Sequence, residues 1–173
     1  MKLPLNKKIL SEIPLFYGDI KMPNGFEINR NKLLSDIILH EINNSTFPFS
    51  KEWDKLNTFL REHIYVEYGY TLVNKLTKGT YFKPNTISPG YLEINPIDLK
   101  NSPDFVMLYG VNIKKDTLQV KIEYDDNRRK GRTLITNINN NSFIIFPSTQ
   151  RYTIQSNQTD SLNFLLTITY EYI

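Results

Sequence analysis

The chain has 173 residues, 40% of them apolar and 13% aromatic, with a formal net charge of +3. That length suits one domain with a real core, and a charge this small implies neither a nucleic-acid nor an anionic-membrane partner. The absence of cysteine excludes disulfides, thiolate metal sites and cysteine nucleophiles.

Residues 1–29 read as extended chain, because Pro4, Pro14 and Pro23 discourage helix. IPLFYGDI is expected to hold a strand ending at Gly18. No apolar run in the first twenty residues is long enough for a signal peptide, and no later stretch is long enough for a membrane span. Asn29 or Asn31 can cap a helix in which Leu33, Leu34, Ile37, Ile38 and Ile42 share a face. Phe47-Pro48-Phe49 ends it. A second helix starts at Ser50, carries Glu52 in its first turn, and sets Trp53, Leu56, Phe59, Leu60 and Ile64 in a stripe closed by Gly69.

From Tyr70 the apolar period falls from 3.6 to 2. DFVMLYGVNI, LQVKIEYDD, RTLITNI, SFIIFPS, RYTIQS and LNFLLTITYEYI read as strands, with VMLYGV and FIIF central because they lack strict alternation. Residues 71–101, with three prolines, are expected to be loops. The fold class is therefore α+β: a jelly-roll sheet core in 70–173 and two amphipathic helices in 1–69 packed against it, as one domain.

The order polar turn, SFIIFPS, short strand, Asn-Gln-Thr-Asp turn, strand resembles the C-terminal half of the double-stranded β-helix in iron- and 2-oxoglutarate-dependent oxygenases, above all their prolyl-hydroxylase-like branch. SPDFVMLYGVNI and LQVKIEYDDNRR resemble the preceding strands, so the likeness covers about the last 75 residues. It implies a metal-binding histidine at position 152, an arginine for the cosubstrate's far carboxylate at 163, and a first metal-binding stretch within YLEINPIDL. This chain has Tyr152, Asn163 and, in that stretch, Glu93, Asn95 and Asp98. A ferrous site of that family needs two histidines and a carboxylate. The chain's two histidines, His40 and His63, lie in the helical half and are read as surface helical residues. The five positions are thus degenerate, with no catalytic residue, metal or cofactor expected. The alternative is an oxygenase with an atypical site using Fe(II) and 2-oxoglutarate. Tyr152 and Asn163 are expected to fill the vacated cavity and hydrogen-bond each other or nearby backbone.

YDDNRRKGR reads as a hairpin tip bearing Arg128, Arg129, Lys130 and Arg132. Together with Arg151, Tyr170 and Tyr172 these are candidate interface residues, since arginine and tyrosine anchor protein contacts well. Asp125 and Asp126 point to opposite faces of a strand end and cannot work as a catalytic pair. Ser148 lacks a nucleophile-elbow motif. A sugar-binding role rests on fold analogy alone.

FPFSKEWDKLNTFLREH, SPDFVMLYG, YDDNRRKGR and NQTDSLNFLLTITYEYI resemble small proteins of T4-like marine tailed bacteriophages. That resemblance implies a virion or assembly component, made in the host cytoplasm and then in the virion, partnered by itself or other virion proteins; the weak charge and lack of a recognition motif argue separately against a membrane or nucleic-acid partner. The chain has no alanine but 19 Asn, 20 Ile and 15 Lys, the imprint of an AT-rich genome.

Overall fold

A computed structural model describes residues 8, 14–43, 51–91, 99–125, 131–157 and 160–173. Two helices and two antiparallel sheets make up the described chain. The elements run β1 (Phe16–Asp19), α1 (Arg30–Asn43), α2 (Lys51–Tyr68), β2 (Leu72–Phe82), β3 (Thr86–Tyr91), a 3₁₀ turn (Leu99–Asn101), β4 (Phe105–Asn112), β5 (Leu118–Asp125), β6 (Gly131–Ile138), β7 (Ser142–Pro147), β8 (Arg151–Ser156) and β9 (Asn163–Tyr172). The larger sheet has the order β1-β7-β4-β9-β2, the smaller β3-β8-β5-β6.

All six expected strands form, and β4 and β7 are interior to the larger sheet as their unbroken apolar runs require. Residues 71–101 differ from expectation, since they hold β2 and β3. Both are edge strands, where an exposed side admits polar residues and the alternation is lost.

Helix α1 starts as expected at Asn29, whose Oδ1 accepts the Lys32 N–H at 3.1 Å. Its buried face differs from the expected one. Leu33, Asp36, Ile37 and His40 are buried, Leu34 and Ile38 are half-buried, and Ile42 is exposed. Lys32 Nζ reaches Asp36 at 2.8 Å and offsets its burial. Helix α2 buries Trp53, Leu56, Leu60 and Ile64, and Phe59 stacks on Phe26 with centroids 4.7 Å apart. Gly69 (φ 73°) ends it, donating to Tyr65 O at 2.9 Å.

The apolar residues form two compartments, one on each face of the larger sheet. On one face, both helices share a cluster with Met107, Tyr109, Val111, Phe143, Ile145, Leu166, Ile168 and Tyr170. On the other, between the sheets, Val106, Leu108, Ile144, Phe146 and Leu165 meet Leu118, Val120, Ile122, Ile138, Tyr152 and Ile154. Register explains the split. Met107 opposes Ile145 and Ile168 on the helix side, while Leu108 opposes Ile144 on the other.

Candidate functional site

Two positions that the family resemblance singles out, Tyr152 and Asn163, lie in the inter-sheet space. β8 alternates so that Tyr152, Ile154 and Ser156 face inward. Tyr152 pairs in register with Ile122 and Tyr91, is buried, and sets its ring edge-on to Phe146 at 5.1 Å. Across the inter-sheet space, on the larger sheet, Asn163 is fully buried at the start of β9. Its Nδ2 donates to Ser156 Oγ and to Thr117 Oγ1, each at 3.1 Å, and its Oδ1 accepts the Lys114 N–H at 2.9 Å. Ile154 lies between Tyr152 and Ser156 on β8 and is buried too.

Tyr152 joins the apolar packing, and Asn163 bonds backbone and hydroxyls. Asn163 offers an acid no fixed charge. Lys114 turns its ammonium outward to Asp160 at 2.7 Å, which holds that exposed carboxyl below the usual range by hydrogen bond and charge.

Ferrous iron does not fit the described residues here. No cluster of three His, Asp or Glu forms among them. His40, expected on the surface, is instead buried on α1. His63 stacks on Phe59 at 6.2 Å and meets Phe143 edge-on at 6.3 Å, within the helix-side compartment. The larger sheet thus separates both helical positions from the inter-sheet space. Glu93, Asn95 and Asp98 lie outside the described residues.

Among the interface candidates, Arg128, Arg129 and Lys130 also lie outside the described residues. The hairpin that carries them forms, with Asp125 opposite Gly131. Arg132 and Arg151 are exposed at one end of the smaller sheet, opposite Tyr124 and Glu123. Tyr172 is exposed too. Tyr170 is not a surface residue: it opposes Phe105 on the helix-side face and is fully buried. Ser148 is buried; its hydroxyl donates to Pro103 O and its N–H to Asp104 O, so the Phe-Pro-Ser turn ties two loops together.

One feature escaped the sequence reading. Asn139, Asn140 and Asn141 form a polar hub at the β6–β7 turn. Asn139 exchanges hydrogen bonds with Asp116, and Asn140 Oδ1 accepts the Ile113 N–H. Asn141, at φ 58°, accepts at Oδ1 from Arg30 Nη2 and from the Tyr109 hydroxyl, both at 2.7 Å. Arg30, Tyr109 and Asn141 border a cavity of about 360 Å³ lined also by Met22, Phe26 and Leu56. Burial pushes the Tyr109 phenol up to about 12, an effect the Arg30 charge partly opposes. A run of three asparagines at a turn signals only polarity in sequence.

No protein-family model matches the chain, and no curated protein matches it by sequence. Solved structures do match. A Pseudomonas putida prolyl-4-hydroxylase superposes with a TM-score of 0.63 at 11% identity over 91% of each chain. AviO1 from Streptomyces viridochromogenes Tue57 gives 0.62 at 11%, over 91% of this chain and 89% of that one. The non-haem α-ketoglutarate-dependent epimerase SnoN of nogalamycin biosynthesis gives 0.63 at 6%, over 90% and 76%. At these identities the likeness is one of fold, and the fold is that of the 2-oxoglutarate- and iron-dependent oxygenases.

Proposed function

We propose that this chain is a non-catalytic protein-contact module, a component of a bacteriophage virion or of its assembly, built on an oxygenase-like double-stranded β-helix. The interleaved strand orders, with β2, β9, β4 and β7 against β3, β8, β5 and β6, support the β-helix reading. The phage resemblance of the four sequence segments supports the setting: host cytoplasm first, then the virion, among copies of itself or other virion proteins. No helix among the described residues is long and apolar enough to cross a membrane.

One observation carries the non-catalytic reading. The positions that would hold a metal and a cosubstrate are occupied by a packed Tyr152 and a triply hydrogen-bonded Asn163, with buried Ile154 beside Tyr152 on β8. Arg132, Arg151, Tyr172 and the 128–130 tip remain the proposed contact residues.

The test is an anaerobic titration of the purified protein with Fe(II) and 2-oxoglutarate. No charge-transfer band and no succinate after oxygen are expected. A saturable band that disappears in Asp98→Ala or Tyr152→Phe would establish an atypical oxygenase instead.

A further inference from the structure

Among the described residues the larger sheet has five strands and the smaller four, so one strand position beside β6 is unfilled by them. β6 and β7 meet in the inter-sheet cluster through Ile138 and Ile144, and β1 extends the larger sheet one place beyond β7. Among the described residues, β6 pairs only with β5, and no strand of the smaller sheet lies opposite β1. Register reveals what that does to β1. Tyr17 opposes Ile144, so the two side chains share a face. Ile144 is buried in the inter-sheet compartment, whereas Tyr17, on the same inward side, is 69% exposed. Asp19, two residues on, is also exposed. A groove of about 290 Å³ runs here, lined by Tyr17 and Asp19 on one wall and by Thr136, Ile138 and Asn139 on the other.

The β6 edge is also the least protected of the four. Natural edges deter pairing by short length, lysine, proline or bulges. β1 has only four residues. β2 carries Lys75 and Lys78 and a register irregularity between Asn74 and Leu76. β3 contains Pro89 and an irregularity between Ser88 and Tyr91. β6 pairs with β5 over eight residues without interruption, has Arg132 as its one charged residue, and leaves Ile135 56% exposed.

We propose that this groove accepts one extended segment of a partner polypeptide, added antiparallel or parallel to β6 beneath β1, with apolar side chains toward Tyr17 and a basic residue at Asp19. The inference deepens the protein-contact reading and rests on it. Two features select the occupant. β1 overhangs the position next to β6, so a second copy approaching through its own β6 would bring its β7 into the space that β1 fills. A single strand fits where a whole sandwich does not. Asp19 makes no ion pair among the described residues, so a lysine or arginine complements it. Backbone pairing would supply affinity, and alternate side chains the selectivity.

The experiment uses the full chain and a synthetic peptide of alternating valine and threonine with lysine at each end. Comparison peptides carry glutamate ends or a central proline. Saturable binding is expected, with slowed amide exchange over Arg132–Asn137 and no change over Leu72–Phe82. The proline peptide should lose binding. Asp19→Lys, an exposed change, should weaken the lysine peptide about tenfold and restore binding of the glutamate peptide. The proposal falls if no peptide protects β6, or if the proline peptide binds equally. It also falls if the β6 amides are fully protected in the free chain, because the chain's own residues or a second copy would then cover that edge. Iron or 2-oxoglutarate binding would end the non-catalytic reading without touching this result, so the two fail separately.

Discussion

Tyr170 and Tyr109 are both buried on the helix side of the larger sheet, but their hydroxyls are treated differently. The Tyr109 hydroxyl donates to Asn141, whereas the Tyr170 hydroxyl finds no hydrogen-bond partner among the described residues. An unsatisfied buried hydroxyl carries its desolvation penalty without return. Tyr170→Phe should therefore be neutral or stabilising by about 1 kcal/mol in urea unfolding, with no effect on association. Tyr109 brings a pH dependence. Its folded-state pKa of about 12 lies above the unfolded value of 10.0, so the folded state holds the proton more tightly. Its contribution is complete below about pH 10 and is lost as pH rises toward 12. Urea midpoints across that window should fall for the parent and fall less for Tyr109→Phe. Tyr170, also raised by burial, leaves a residual slope. At this scale the sequence was partly readable. The family resemblance singled out Tyr152 and Asn163 as cavity residues, and both are buried. It could not place Tyr170, since TYEYI at a chain end looks like exposed alternation until its pairing with Phe105 is known.

Among the elements, β4 depends on a residue without a side chain. A Cβ at Gly110 would lie 2.1 Å from the Asn139 carbonyl oxygen, which belongs to the turn that the asparagine hub holds in place. The Asn141 N–H also donates to Gly110 O at 2.9 Å, so the turn cannot withdraw without breaking that bond. Gly110→Ala should destabilise the fold by about 3 kcal/mol, the upper end for overpacking, as measured by thermal or urea unfolding. Gly18→Ala on edge strand β1, where a Cβ would meet only the Phe143 ring at 3.7 Å, is the matched control, with a small expected effect. The helices and central strands were legible because each buries one apolar face, or both, and prints the corresponding period. β2 and β3 were not. KLTKGTYFK reads as solvated chain because an edge strand presents polar groups on its free side, and the prolines of 84–96 suggested loops.

On the scale of the whole molecule, the larger sheet is a partition. Leu56 belongs to the helix-side compartment and Leu118 to the inter-sheet one, and both are fully buried. Leu56→Ala and Leu118→Ala should each lose about 2–5 kcal/mol. Their double mutant should show the sum to within about 0.5 kcal/mol, because no packed neighbour is shared. A coupling much larger than that would mean the sheet transmits strain between its faces. If the sum holds, the chamber behind the sheet can be rewritten while the helical buttress never registers the change.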